Sequence, residues 1–309
     1  MGQIGGVIPL QFQSEQAAAR AACFCNMSEI NWYPGHMAKT RRELEKQVKL
    51  ADCVIELIDA RAPYATRNPE LGRMIGQKAH ILVLNKADLA DDAVTKAWLE
   101  YFKQNGTAAL RFRSTGDKPQ LIIRQVESAL SDKIARMKAK GVNKTLRAMI
   151  VGIPNVGKST FINRIKGQAV AKAQDRPGVT RSTQWIKITP FLELLDTPGL
   201  LWPKLSDEAG ARRLAYLGSI KDEIMDTEAL AASLLKELLV IKPEAVIERY
   251  KLKPGDETLE GEELLNACCR GRGLLLSGGR FDTLRCASLA LDEFRGGKLG
   301  KITLERISL

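Results

Sequence analysis

Short apolar segments along the chain have the pattern of buried parallel strands, because each is continuous and ends in polar or Gly-rich residues. Four are strong, at 53–58, 81–84, 148–151 and 191–195, and two weaker strands are predicted at 109–112 and 184–188. Helical periodicity fills the intervals at about 37–50, 68–77, 91–104, 118–139 and 158–166. Strands that alternate with helices predict an α/β domain, with a parallel sheet covered by helices on both faces.

The pattern changes at about residue 205. Helical periodicity dominates from there, at 206–219, 226–241, 243–251 and 259–270, and one strand is predicted at 299–309. We therefore predict a first domain at 27–204 and a smaller, mainly helical domain at 205–309. Residues 1–26 contain one Arg and one Glu and no basic stretch before their short apolar run. This argues against a secretory signal, so we expect a disordered extension or a start assigned upstream of Met27.

Composition adds a charge imbalance to this picture. The 309 residues carry a formal net charge of +11, which favours an anionic partner, with nucleic acid as the leading class. A merely soluble basic surface is the alternative. No apolar run approaches the ~18 residues that span a bilayer. The six cysteines form no CxxC pair, as expected of free thiols in a reducing cytosol.

Residues 152–159 read Gly-Ile-Pro-Asn-Val-Gly-Lys-Ser and fit the phosphate-binding pattern G-x-x-x-x-G-K-[ST] between a strand and a helix. Glycines let backbone N–H groups surround a phosphate chain. We expect Lys158 to reach the β- and γ-phosphates and Ser159 to bind Mg²⁺. The same loop supplies further nucleotide contacts, from Asn155, Val156, Gly157 and Thr160. Taken alone, the pattern also fits a glycine-rich turn without a ligand.

Residues 85–88 read Asn-Lys-Ala-Asp after a buried strand and suggest guanine recognition through Asn85, Lys86 and Asp88. The Asp88 carboxylate only accepts hydrogen bonds, and guanine offers two N–H donors on one edge. Adenine lacks that pair, which argues against an ATPase. Ser114 and Thr115 follow the strand at 109–112 and suit a loop beside the guanine oxygen. A polar turn is the alternative for each motif alone.

Residues 196–199 read Asp-Thr-Pro-Gly at the end of another predicted strand. Asp196 is placed to hold Mg²⁺, and the Gly199 amide to sense the γ-phosphate. Thr180 lies between the phosphate loop and Asp196, where a switch threonine would complete the Mg²⁺ ligands. All these groups follow strand ends, where ligands bind in parallel α/β sheets. Together they predict GTP or GDP binding with Mg²⁺.

The base motif precedes the phosphate loop here, whereas the familiar small GTPases have the opposite order. Such a circular permutation preserves the fold if the old termini are joined, and a long basic helix within 118–147 is predicted to join them. The helical domain then follows the Asp196 loop directly. The fold class expected is α/β, a circularly permuted P-loop GTPase domain with a smaller, mainly helical C-terminal domain.

This order and several longer motifs resemble the circularly permuted ribosome-assembly GTPases, most closely the ribosome biogenesis GTPase A (YlqF) family. The motifs include Trp-Tyr-Pro-Gly-His-Met-Ala-Lys at 32–39, Asp-Ala-Arg-Ala-Pro at 59–63, Asp-Arg-Pro-Gly-Val-Thr at 175–180 and Leu-Asp-Thr-Pro-Gly-Leu-Leu-Trp-Pro at 195–203. The resemblance covers about 30–309. It implies cytoplasmic GTP hydrolysis coupled to late assembly of the large ribosomal subunit, with rRNA contacts from both domains.

We accordingly expect a monomer that binds the large subunit and its rRNA, but neither DNA nor a membrane, in a bacterial cytoplasm or an organelle matrix. Phosphate contacts favour Lys and Arg. The candidates are Lys39, Arg41, Arg42, Lys133, Arg136, Lys138, Lys140, Arg270, Arg272 and Arg280. Solvated helix faces are the alternative for any one of them.

Leu200 occupies the position where small GTPases often place a Gln that orients the attacking water. The resemblance indicates His36 as its catalytic substitute; the alternative is a structural or RNA-contacting histidine. Asn155 matches potassium-stimulated GTPases, in which this residue helps to hold K⁺ beside the phosphates. A nucleotide-gated rRNA-binding switch with negligible catalysis remains the second hypothesis. A tRNA-modification GTPase would have the unpermuted order.

Overall fold

The structure is a computed structural model that describes residues 34–142, 145–167, 184–189, 191–196, 208–220 and 226–307. For residues 34–40, Gln184 and Asp196 it describes the backbone alone. The extension predicted at 1–26 lies outside these ranges, as do the predicted nucleotide ligands Thr180 and Gly199.

A six-stranded sheet with the order β3-β2-β1-β4-β6-β5 forms the first part of the chain. Its strands are β1 (Cys53–Asp59), β2 (Ala79–Asn85), β3 (Ala108–Arg111), β4 (Leu146–Val151), β5 (Gln184–Thr189) and β6 (Leu192–Asp196). All six coincide with predicted strands. The parallel arrangement is confirmed except at the edge, where β5 runs antiparallel to β6. Only two residues separate these strands, and a parallel crossover needs about a dozen.

Helices cover both faces of the sheet. They are α1 (Pro34–Leu50), α2 (Leu71–Ile75), α3 (Asp92–Gln104), α4 (Gln120–Ala129), α5 (Ser131–Ala139) and α6 (Lys158–Lys166). Apolar residues of α4 and α6 pack on one face of the sheet, and those of α1, α2 and α3 pack on the other. The prediction of one long joining helix is wrong, because the chain leaves helical geometry at Leu130. Leu130 is buried in the core, whereas α5 beyond it buries no residue.

Five helices form most of the described chain from residue 208 onward. They are α7 (Glu208–Tyr216), α8 (Thr227–Ile241), α9 (Pro243–Tyr250), α10 (Gly261–Arg272) and α11 (Thr283–Arg295). The Asp226 carboxylate caps α8 by accepting from the N–H groups of Glu228 and Ala229. Helix α8 packs against the other four through its buried apolar residues. No helix in the described ranges is long and apolar enough to cross a membrane.

The tail of the chain differs from the sequence prediction in two ways. Helix α11 was not predicted, and the strand predicted at 299–309 is absent from the described residues 299–307. These residues instead lie along the sheet domain, where the Ile302 N–H donates to the Leu89 carbonyl and the Leu304 N–H to the Arg61 carbonyl. One apolar cluster joins both parts of the chain, from Ile55 and Phe161 to Leu235 and Leu291.

Candidate nucleotide-binding site

The carboxyl ends of the central strands bring the predicted motifs together. Asp59 at the end of β1 is in register with Asn85 at the end of β2. Asp196 at the end of β6 is in register with Ile150, two residues before the loop that leaves β4. The base motif, the phosphate loop and the Asp196 backbone therefore lie at one edge of the sheet, although they are far apart in the chain.

The loop between β4 and α6 has the close backbone packing that its glycines allow. A Cβ on Gly152 would lie 2.6 Å from the Leu57 carbonyl oxygen, and one on Gly157 would lie 2.6 Å from Asn85 Nδ2. Gly157 has φ +90°, and Asn155 adopts a left-handed φ of 61°. For a residue with a Cβ, that conformation is rare and needs support from its surroundings.

Lys158 is buried inside this loop, where its ammonium group donates to the carbonyls of Gly152 at 2.9 Å and Ile153 at 3.2 Å. Its positive charge therefore lies within the curve of the loop. Ser159 and Thr160 are half-buried in the first turn of α6, whose N-terminal N–H groups favour an anion. This is the arrangement that a chain of phosphates with a bound cation requires.

Asn85 joins three loops rather than facing outward. Its Nδ2 donates to the Val156 carbonyl at 2.8 Å, and its Oδ1 accepts from the Ser114 hydroxyl at 2.7 Å. Both Asn85 and Ser114 are buried. The two predicted base-site residues thus hold the base motif and its neighbouring loop against the phosphate loop.

Lys86 extends this connection to β1. It has a left-handed φ of 56°, and its ammonium donates to the Asn155 carbonyl at 2.5 Å and lies 3.2 Å from Asp59 Oδ2. Arg61 forms two further bonds to the Asp59 carboxylate, each 2.9 Å long. Burial by itself would raise the pKa of Asp59, but the Arg61 and Lys86 charges outweigh it and hold that pKa far below its usual range. Asp59 is therefore ionised at neutral pH, beside the lysine that bonds to the phosphate loop.

Asp88 is half-buried at the wall of a cavity of about 370 Å³. The opposite side is formed by a turn in which Arg113 donates to Asp117 through two side-chain nitrogens, at 2.9 and 2.7 Å. Thr115 lies exposed at the tip of that turn. The cavity is lined by Ala87, Asp88, Asp92, Arg111, Arg113, Asp117 and Lys301. Because the cavity lies beside Asp88, a ring bound in it could present its polar edge to this carboxylate.

Two predicted groups are located by their backbone alone, and two lie outside the described residues. Asp196 ends β6 beside β4, which brings its backbone near the loop that carries Ser159. Thr180 and Gly199 lie outside the described residues, so the Mg²⁺ ligand set of Ser159, Thr180 and Asp196 stays a prediction. His36 belongs to the first turn of α1, with its side chain undescribed. Among the described residues no cluster of three His, Cys, Asp or Glu could hold a metal ion.

The helical part of the chain contacts the site through residues for which the sequence predicted no nucleotide role. Asn155 Nδ2 donates to the Gly218 carbonyl at 2.6 Å. Thr303 Oγ1 accepts from the Asp91 N–H at 3.0 Å, and Lys301 pairs with Asp92 at 2.6 Å. The tail therefore contacts the loop just after Asp88. Asn155 and Gly218 are 63 residues apart in sequence and the two tail contacts join residues 212 and 209 apart, so local patterns carry no signal for them.

The basic residues predicted to contact phosphate differ in their surroundings. Arg41, Lys133, Arg270 and Arg272 each pair with a carboxylate of the protein. Arg42, Arg136, Lys138, Lys140 and Arg280 are exposed, and the Lys39 side chain lies outside the description. A second cavity of about 630 Å³ lies in the helical part. Glu244 and Glu248 line it together with five basic residues. The basic residues are Lys242, Arg249, Lys251, Arg272 and Lys298.

Comparisons with known proteins agree with this geometry. A family described as 50S ribosome-binding GTPase matches residues 147–258. Ribosome biogenesis GTPase A from Bacillus cereus is 46% identical over 278 residues, which cover 89% of this chain and 93% of that protein. The protein of the same name from Thermotoga maritima is 32% identical, covering 90% and 94%. A GDP-bound structure of YlqF is similar with a TM-score of 0.65 at 27% identity, covering 86% of this chain and 99% of that one.

Proposed function

This chain belongs to the ribosome biogenesis GTPase A family, and on that premise we propose that it binds the large ribosomal subunit through rRNA and couples GTP hydrolysis to late assembly of that subunit. Its fold is the circularly permuted P-loop GTPase fold with a helical C-terminal part, and it is a GTP hydrolase that acts in ribosome assembly. The subunit, the rRNA contacts and the timing are the proposed elements.

The observation that carries the rRNA proposal is the basic cavity of the helical part. Its five Lys and Arg residues outnumber its two Glu residues. A phosphate backbone is bound mainly by such side chains, with release of counterions. The net charge of +11 supports the same type of partner. The chain would act as a monomer, in a bacterial cytoplasm or an organelle matrix.

Guanine nucleotide is the cofactor of this family, usually with Mg²⁺. Ser159, Thr180 and Asp196 are the proposed Mg²⁺ ligands, and Gly199 the proposed sensor of the γ-phosphate. Mg²⁺ would neutralise charge that develops between the β- and γ-phosphates. Lys158 and the N–H groups at the start of α6 would bind the same phosphates, and Asp88 the guanine edge.

Hydrolysis is proposed to require the ribosome, because the catalytic groups would come together only when the protein is bound to it. Leu200 offers no polar group to orient water, so His36 is the proposed catalytic residue that does so. Asn155 is the proposed ligand of a K⁺ ion that would supply positive charge beside the phosphates. Because its Nδ2 already donates to Gly218, its Oδ1 is the atom that would face the ion. A switch with negligible catalysis stays the second candidate, and Leu200 is the residue that favours it.

Co-sedimentation with purified large and small subunits tests the proposal. The protein is incubated with a non-hydrolysable GTP analogue, with GDP, or with no nucleotide. We expect sedimentation with the large subunit, strongest with the GTP analogue and weaker at higher salt. Equal binding to both subunits, or none to either, would contradict it.

Paired variants then test the basic cavity. Lys242→Glu with Lys298→Glu should reduce sedimentation, whereas Arg285→Glu, an exposed change outside the cavity, should not. GTP turnover measured with and without subunits separates the coupled hydrolase from the switch. Strong stimulation supports the hydrolase, and negligible turnover in both conditions supports the switch.

A further inference from the structure

Asn155 is bonded on both sides, by the base motif and by the helical part of the chain. Its carbonyl accepts from the Lys86 ammonium at 2.5 Å, and its Nδ2 donates to the Gly218 carbonyl at 2.6 Å. Its left-handed φ of 61° is costly for a residue with a Cβ. Such a conformation persists only where the surroundings hold it, and these two bonds are the supports that the structure provides.

The turn that leads from α7 to Gly218 is held by Arg295 at the end of α11. Arg295 Nε donates to the Tyr216 carbonyl and Nη2 to the Ala215 carbonyl, both at 2.9 Å. These are carbonyls at the end of α7, which have no partner within their helix. A Cβ on Gly218 would lie 3.2 Å from Arg295 Nε and 3.5 Å from Asn155 Nδ2. The turn therefore fits closely between Arg295 and the phosphate loop.

Arg61 connects the end of α11 with Asp59 at the end of β1. It donates to the carbonyls of Phe294 at 3.2 Å and Arg295 at 3.1 Å, at the end of α11, and it lies over the Phe294 ring. It also forms the buried ion pair with Asp59 through Oδ2, the same oxygen that lies 3.2 Å from the Lys86 ammonium. The contacts form a closed ring, which we call the Asn155 ring. Its members are Asn155, the turn from Ala215 to Gly218, Arg295, Arg61, Asp59 and Lys86.

We propose that Arg295, a residue of the helical part, is a positioning residue for nucleotide binding, because it fixes Asn155 through the turn that ends at Gly218. The hydrogen bonds that Arg295 donates to Tyr216 and Ala215 lie in α7, outside the phosphate loop. Arg295 sets the carbonyl that orients the Asn155 amide, and so maintains the loop conformation that surrounds the phosphates. The proposal deepens the assignment of the phosphate loop, on which it rests.

A double-mutant cycle on the full chain tests this route. Asn155→Gly removes the amide while allowing the positive φ, and Arg295→Met removes the two hydrogen bonds while keeping an unbranched apolar stem. Affinities for GDP and for a non-hydrolysable GTP analogue are measured for the wild type, both single variants and the double variant. We expect each single variant to weaken binding about tenfold, and the double variant to be no weaker than the weaker single variant, because residues in one network are not additive.

Arg285→Met is the matched control, since it changes an exposed arginine of the same helix, and it should leave nucleotide affinity unchanged. Additive losses of affinity in the double variant would overturn the proposal. If Arg295 had a purely structural role, the loss of affinity in its variant would simply add to the loss caused by Asn155→Gly. Unchanged affinity in Arg295→Met would also overturn it, as would a loss there combined with none in Asn155→Gly.

Arg295→Lys is used in place of Arg295→Met if the methionine variant does not fold. Lysine keeps the charge and can donate to the nearer carbonyl, so affinity should fall between the wild type and Asn155→Gly, and the same cycle can be run with it. An additive cycle in that variant counts against the proposal equally. A wild-type chain that fails to bind nucleotide would instead refute the proposed function, so the two failures can be told apart.

Discussion

The side-chain amide of Asn85 donates to the backbone carbonyl of Val156 across 2.8 Å, and both residues are buried. The strand that ends in the base motif is thereby fixed to the middle of the phosphate loop. Its Oδ1 accepts from Ser114, so the loop that follows β3 is held by the same amide. One side chain determines how the base and phosphate ends of the site are spaced.

Asn85→Ala should therefore weaken GDP and GTP binding together and lower the free energy of unfolding by about 1–3 kcal/mol, because the buried Val156 carbonyl and Ser114 hydroxyl lose their partner. Titration calorimetry and urea unfolding measure the two effects. Asn105→Ala, at the exposed end of α3, is the matched control. Full nucleotide affinity in Asn85→Ala would show that the loops keep their spacing without this bond.

Asp88→Asn should exchange guanine for xanthine specificity. The amide offers a donor where guanine also offers one, whereas xanthine places an acceptor there. We expect GTP affinity to fall by at least about 100-fold, because buried polar groups without partners are strongly rejected, and xanthosine triphosphate binding to appear. Competition between labelled nucleotides measures both. Asp92→Asn, on the same cavity, serves as control; unchanged guanine preference in Asp88→Asn would refute the assignment.

Asp59 should make stability depend on pH in acid. Its folded pKa lies below its ordinary value of 3.8, so its contribution is complete above that pH and is lost as pH falls below it. At pH 7, Asp59→Asn should be less stable by about 3–5 kcal/mol, because Arg61 keeps a buried charge without a counter-ion. Urea unfolding from pH 7 to pH 3 should show this difference shrinking below pH 3.8. A difference that stays constant would contradict the linkage. Glu262→Gln, which changes an exposed side chain in the first turn of α10, should follow the wild type.

His36→Ala should keep nucleotide affinity and lose subunit-stimulated hydrolysis by about 10²–10⁴-fold, the usual contribution of a positioned acid or base. Phosphate release with and without large subunits gives the rates. His80→Ala is the comparison. This second histidine bonds to Glu56 at 3.0 Å near the amino end of β2, far from the carboxyl end that carries the base motif. Loss of GTP binding in His36→Ala would indicate a structural role instead.

Potassium should accelerate hydrolysis relative to sodium at equal ionic strength, since K⁺ on Asn155 would supply charge that an arginine finger supplies elsewhere. The rates are measured in KCl and NaCl, with and without subunits. Asn155→Gly should abolish the difference between the salts. Equal rates for the wild-type protein in both salts would rule out this role of Asn155.

The strands were predictable because each is a short apolar run that ends at a polar motif. The same reasoning could not assign β5 its antiparallel direction, which follows from the short connection to β6. Helix α11 was missed even though Asp282 caps it by accepting from the Arg285 N–H. The Ser-Gly-Gly segment at 277–279 that precedes the helix is typical of a loop.

The phosphate and base motifs were predictable because their spacing is local. The Asn155 ring was not, since Arg61 and Arg295 are 234 positions apart and only the packed core brings them together. Asp59 and Arg61 had appeared only within a longer motif that carried the family resemblance. Their buried ion pair with Lys86 nearby gives that motif a physical role.

The contact between Asp91 and Thr303 has a consequence for how the protein is made. The loop that follows Asp88 is synthesised 212 residues before the hydroxyl that receives its Asp91 N–H. Contacts so distant in sequence form late, because a long loop must close before they contribute. During translation, the early strands could not form these contacts until the helical part has emerged. The guanine pocket of this ribosome-assembly factor would therefore be completed only after the ribosome has produced almost all of the chain described here.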